Sequence, residues 1–257
     1  MPSNKKTIPR MMSTPTPRTQ HGHVIRDLGI GIVSGRYPEN TIMPGDAELQ
    51  QQYGVSRTVL REAFKTLAAK GVVQPKAKIG TRVLERRNWN MFDPDILHWY
   101  VETGVDSAFL MSLQEMRLAL EPEAARLAAQ RRTKDQISRL HHWVDQMADT
   151  VAASFVESDL QFHITVAEAS ANPFMRSIST LVEVALATTF TISSPIPNSE
   201  RHALTVEKHR QIALAIENSQ EEAASAAMRA VINEGIERIR VVIGKEQRSS
   251  DGVERVD

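Results

Sequence analysis

Residues 54–73 read GVSRTVLREAFKTLAAKGVV, and this stretch decides how the N-terminal third of the chain folds. Gly54 and Val55 make a tight turn, Ser56 can cap a helix, and the spacing predicts that helix from Arg57 to about Lys70, closed by Gly71. Val59, Leu60, Ala63, Phe64 and Leu67 form its buried stripe. Upstream, Ala47–Tyr53 predicts a short helix, and His23–Ser34 another, with Val24, Leu28, Ile32 and Val33 inward; the turn-rich RYPENTIMPGD separates them. Downstream, Val72–Val73, a turn around Lys76–Lys78, and Gly80–Val83 predict a β-hairpin. Three helices followed by a hairpin make a winged helix-turn-helix.

Arg57 and Arg61 lie four apart on the face opposite the buried stripe, with Lys65 a further turn along. Guanidinium groups near a helix N-terminus suit the major groove, where arginine can bond guanine O6 and N7 in a bidentate fashion. Ser56 and Thr58 are placed for backbone phosphates, and Lys76, Lys78 and Arg82 decorate the wing beside Gly80. The bland alternative is an amphipathic helix with a solvated basic face. Charge distribution favours the polyanion: residues 1–84 carry 13 Lys/Arg against 5 Asp/Glu, and the remainder carries 18 against 26.

The rest of the 257-residue chain divides readily. Residues 1–20 predict a disordered basic tail without the apolar core of a secretory signal. Residues 85–106 are an aromatic, irregular connector; 107–245 predict an all-α helical bundle; 246–257 are a polar tail. At least five helices are expected, at about 107–130, 134–152, 154–171, 174–192 and 203–244, the last broken near Asn218. The chain has no cysteine, excluding disulfides and thiolate metal sites, and no apolar run approaches the ~18 residues of a membrane span. A cytoplasmic, mainly α protein is expected.

Within the bundle, Asp159 and His163 are four apart on one helix, and His209 lies on another helix's apolar stripe with Val206, Ala213 and Ile216. A carboxylate and two imidazoles converging in a helical core suit a divalent transition metal such as zinc or nickel. A surface hydrogen bond and a satisfied core histidine are the simpler alternatives. Arg117 shares a face with Leu113, Leu120 and Ala124, so a guanidinium points into the core. It needs a partner there, and the carboxylate of a small effector is one answer. The Asp/His cluster also admits a metal-dependent hydrolase fused to a DNA-binding domain, although HExxH, GxSxG and phosphate-binding glycine loops are absent.

MPGDAELQQQYGVSRTVLREAFKTLAAKGVV and the wing IGTRV resemble the GntR family of winged-helix regulators. The resemblance implies operator binding as a homodimer, with Arg57 and Arg61 as base-contacting candidates. Members often carry arginine in the preceding helix where this sequence has Ala47. EMRLALEPEAARLAA, SDLQFHITVAEASANP and EKHRQIALAIENSQEEAASAAMRAVI resemble the FCD ligand-sensing domain of the FadR-type branch. There an Asp, a His four residues on and two later His commonly hold a metal beneath an effector. Asp159, His163 and His209 match three of those positions, and the fourth falls on Val231. RNWNMFDPDILHWY is similar to the same stretch of galactonate-operon-type repressors, which implies a sugar acid as effector.

Overall fold

Helix α1 (Gln20–Val33) starts where the Thr19 side chain accepts a hydrogen bond from the Gly22 N–H at 3.1 Å, and it buries Val24, Leu28 and Ile32. Helix α2 (Asp46–Tyr53) ends at Gly54, whose φ of 62° carries the chain through the left-handed turn. Helix α3 (Arg57–Ala69) follows, its first turn capped as the Ser56 hydroxyl accepts from the Val59 N–H at 3.3 Å. Strands β1 (Val73–Lys76) and β2 (Gly80–Val83) pair antiparallel, Val73 opposite Val83 and Lys76 opposite Gly80. The turn-rich segment before α2 lies along β2: Met43 N–H donates to the Thr81 carbonyl at 2.8 Å, and Val83 N–H to Thr41 at 2.9 Å. The wing is therefore anchored along a third backbone segment.

In this computed structural model residues 19–149, 152–193 and 199–253 are described. The chain forms two compact units that meet at Val105 and Asp106. The stretch expected to be an irregular connector belongs to the first. After a 3-10 turn at Arg86–Asn88, helix α4 (Pro94–Thr103) forms, with Asp93 as its cap and proline in its first turn. Apolar burial drives it: Trp89, Ile96, Leu97, Trp99 and Tyr100 are buried, while Phe92 is half exposed. Lys70 pins the cap, its ammonium 2.9 Å from Asp93 and 2.8 Å from Asp95. Gly71 has a φ of +77°, and a Cβ there would lie 2.2 Å from the Asn88 carbonyl oxygen, so only glycine lets this segment close on the end of α3.

The second unit is all helix: α5 (Ser107–Arg131), α6 (Lys134–Ala148), α7 (Ala152–Ala169), α8 (Pro173–Ser177), α9 (Ser179–Ser193), α10 (Ser199–Glu217) and α11 (Glu221–Val253). The expected helix at 174–192 is thus two, divided at Ile178, and α11 runs past the expected end at 245. The proposed tail at 1–20 lies almost wholly outside the described residues. Helix α5 packs along α11, and alanines 124, 125 and 128 of α5 share a core with Leu140, Phe155, Phe162, Ile212, Met228 and Ile232. No helix among the described residues is long and apolar enough to cross a membrane.

A Cβ added at Gly29 of α1 would meet the Trp99 ring of α4 at 2.5 Å. Gly29→Ala should therefore overpack the α1–α4 contact and cost about 1–3 kcal/mol in chemical denaturation of the full chain. Unchanged stability would mean that α4 does not pack there.

Candidate functional site

The exposed face of α3 carries Arg57, Thr58, Arg61 and Lys65, and Ser56 is exposed at its start. None of the four is drawn into the apolar stripe, because Leu60, Ala63, Phe64 and Leu67 turn the opposite way. Lys65 is paired with Glu62 at 2.8 Å, both exposed, a contact easily exchanged for another anion. On the wing Lys78 and Gly80 are exposed and Lys76 is half buried. Arg82, expected among the wing cations, instead donates from Nε to the Asn40 carbonyl at 3.3 Å.

In the helical unit Asp159, His163 and His209 are all buried, with one ligating atom from each within 4.8 Å of the others. His209 Nδ1 lies 2.7 Å from the Thr205 carbonyl, which turns Nε2 towards Asp159 Oδ1 at 2.8 Å. His163 Nε2 stands 3.7 Å from the same oxygen. Asp159 Oδ1 and both Nε2 atoms are buried without a hydrogen bond of proper geometry. Two ligands held about 2.1 Å from one ion lie roughly 3.0–3.4 Å apart. The observed 2.8 and 3.7 Å fall on either side of that range, so a shared cation asks for shifts of a few tenths of an ångström at these contacts. Phe162 closes the cluster, its ring edge-on to both imidazoles at 5.9 and 5.1 Å.

A cavity of about 20 Å³ adjoins the cluster, room for a single water or metal ion. Asp159, His163, His209 and Val231 line it, with Arg117, Lys208 and Arg238 as cations and Glu234 as a second anion. Val231, the residue that the resemblance matches to a fourth ligand, lines the same cavity with an apolar side chain. Glu234 bridges Lys208 and Arg238, 2.9 Å from the latter.

Arg117 is buried, as its apolar neighbours required, but its guanidinium already has an internal partner: Nε lies 2.5 Å from Glu121 Oε1. Glu121 is the residue that sequence reasoning missed. Its spacing from Arg117 is the ordinary i, i+4 of a surface pair, and only tertiary packing shows that the pair is interior. Lys208, Glu234 and Arg238, half-buried around the cavity, were missed too, because the meeting of α10 with α11 is a tertiary contact that spacing does not show.

Residues 20–83 match the model of the bacterial regulatory proteins of the gntR family, and residues 112–234 match the FCD domain. The uncharacterized HTH-type transcriptional regulator YieP of Escherichia coli K12 is 37% identical over 206 residues, spanning 78% of this chain and 87% of that protein. This chain belongs to the GntR family. The galactonate operon transcriptional repressor of Escherichia coli K12 is 27% identical over 221 residues, 85% of this chain and 96% of the relative. The solved structure of Lar, which controls the expression of the Listeria monocytogenes agr system, shares the fold at a TM-score of 0.57 and 19% identity, covering 88% of this chain and 98% of that one.

As a GntR regulator of the FCD type, the chain is a DNA-binding transcription regulator and not an enzyme. The hydrolase alternative is thereby set aside: both matched families and the relatives are regulators.

Electrostatics in the FCD core set a pH dependence. Burial alone would raise the Glu121 carboxyl, but the Arg117 guanidinium and the His163 ring outweigh it and hold the group at about 2, down from 4.5. Asp159 is shifted the same way: burial opposes, while His209 foremost, then His163 and Arg117, lower it. A depressed folded pKa contributes stability above the ordinary value, which is lost as pH falls through the folded one. The metal-free protein should thus lose stability as pH drops from 4.5 towards 2. Urea unfolding should show a shallower loss in the Arg117→Met/Glu121→Met variant; an identical pH slope would contradict this assignment.

Proposed function

We propose that this GntR regulator is a cytoplasmic repressor that binds a two-fold operator as a homodimer and is released by a small carboxylate, of the sugar-acid class. Helix α3 reads the operator, with Arg57 and Arg61 at base edges, Ser56, Thr58 and Lys65 at phosphates, and Lys76, Lys78 and Gly80 of the wing beside the adjacent groove. In the FCD domain, Asp159, His163 and His209 hold a divalent metal such as zinc or nickel. A bound metal supplies a Lewis-acidic anchor with open positions, since Val231 offers no fourth ligand.

The observation that carries the sensing role is the convergence of three buried, unpaired ligating atoms on a cavity that also presents Arg117, Lys208 and Arg238. A buried polar atom left unpaired costs about 1–3 kcal/mol, so three together favour an ion. With Glu121 counted, three carboxylates balance these three cations, so a divalent ion leaves the site net positive and favours an acid over a neutral ligand. Glu121 occupies two of the five donors of Arg117, Nε and Nη2, leaving others for an effector carboxylate. At about 20 Å³ the cavity is far smaller than a hexonate, so the acid must part the surrounding helices on entry. That coupling of occupancy to helix position is what a sensor needs. The galactonate operon repressor and NanR of Cronobacter sakazakii, a 26% identical repressor, support the repressor reading.

Arg61→Ala should weaken operator binding by about 1–3 kcal/mol and relax preference at one base pair in mobility shifts. If the Arg57→Ala/Arg61→Ala double variant binds as tightly as the parent, α3 is not the reading helix. His163→Ala should retain operator affinity while losing zinc uptake and release by sugar acids. Full release in that variant would overturn the metal's sensory role.

A further inference from the structure

Glu121 sits on α5, across the core from the helices α7 and α10 that supply the three candidate ligands. Its carboxylate faces two ways. Oε1 is held by Arg117 Nε at 2.5 Å, one turn earlier on the same helix. Oε2 lies 2.5 Å from His163 Nδ1, on the side of the ring away from Asp159. That contact is close but off the axis of a conventional hydrogen bond, so the His163 ring has a carboxylate beside one nitrogen and a ligand cluster beside the other.

Stability does not explain the arrangement. A buried Arg–Glu pair roughly balances its own desolvation, and apolar residues of similar volume often serve as well or better. Two charges inside α5, both under a tenth exposed, therefore suggest a use beyond holding the helix.

We infer that Glu121 is a positioning residue for the metal site: held by Arg117, its carboxylate fixes His163 as the Nδ1–H tautomer and so aims the Nε2 lone pair at the ion. This inference rests on the metal reading above. His209 is treated in parallel, with the Thr205 carbonyl beside Nδ1 in place of a carboxylate. The difference has a consequence. A backbone carbonyl orients its ring, whereas a carboxylate also raises the basicity of the nitrogen that binds metal. His163 is then the stronger imidazole ligand, which suits a site whose fourth position is apolar Val231.

The test uses full-length protein, zinc and nickel as probes, and two variants. Glu121→Gln keeps the shape and removes the charge. Arg117→Met/Glu121→Met removes both charges together, leaving none unpaired, and guards against loss of folding in the single variant. Competition with a chromophoric chelator should show metal affinity about 10-fold weaker in the first and up to about 100-fold weaker in the second. Long-range ¹⁵N–¹H NMR of the metal-free parent, assigned against His163→Ala, should show His163 protonated at Nδ1; in the double variant the Nε2–H form should appear. A plain structural pair would leave both readouts unmoved. Parental metal affinity and tautomer in the double variant overturn the role of Glu121 while the metal site stands. Failure of the parent to take up either metal overturns the metal reading, and this inference with it.

Discussion

Five ionisable side chains, Arg117, Glu121, Asp159, His163 and His209, meet in a helical core where an isolated charge would cost several kcal/mol. They come from three helices, α5, α7 and α10, and the packing of the FCD domain has to satisfy them as a set. Arg117 neutralises Glu121, Glu121 abuts His163, and His209 leans on the Thr205 carbonyl, which leaves one oxygen of Asp159 and two imidazole nitrogens turned inward together. Helix α11 packs along α5 and places Val231, Glu234 and Arg238 around the same cavity. The site is thus a product of core packing and not a feature added to the surface.

The DNA-binding unit rests on the reverse arrangement. Arg57, Arg61 and Lys65 on α3 and Lys78 on the wing point outward, and structure is supplied by caps, small residues, aromatics and the remaining cations. Ser56 caps α3, Gly71 admits the Asn88 carbonyl, and Gly29 admits the Trp99 ring. Lys70 and Arg26 hold α4 through Asp93, Asp95 and Glu102. Arg86 adds a cation above the Trp89 and Tyr100 rings, at 5.8 and 5.3 Å.

The winged helix was legible in the sequence because its signals are local. A turn glycine, a capping serine, an uninterrupted 3.6-residue stripe and a closing glycine all lie within residues 54–71. Helix α4 was not legible. Its start, Asp93–Pro94, reads equally as a turn, and the aromatic run has no clean period until Gly29 opens a place for Trp99. The break at Ile178 escaped because apolar residues continue on both sides of it. At the site, Asp159, His163 and His209 could be named from spacing and resemblance, and the structure brings them together. Arg117 was correctly placed in the core, but the partner it required was Glu121, four residues away, and not only a ligand. Sequence spacing does not distinguish a buried pair from an exposed one.

The sensing role of the FCD domain depends on one ion joining Asp159, His163 and His209. Diffraction from crystals of the full chain grown with zinc, measured on both sides of the zinc absorption edge, tests this directly. We expect one anomalous peak about 2.0–2.2 Å from Asp159 Oδ1, His163 Nε2 and His209 Nε2. A peak elsewhere, or none while the three side chains close on one another through hydrogen bonds, would contradict it.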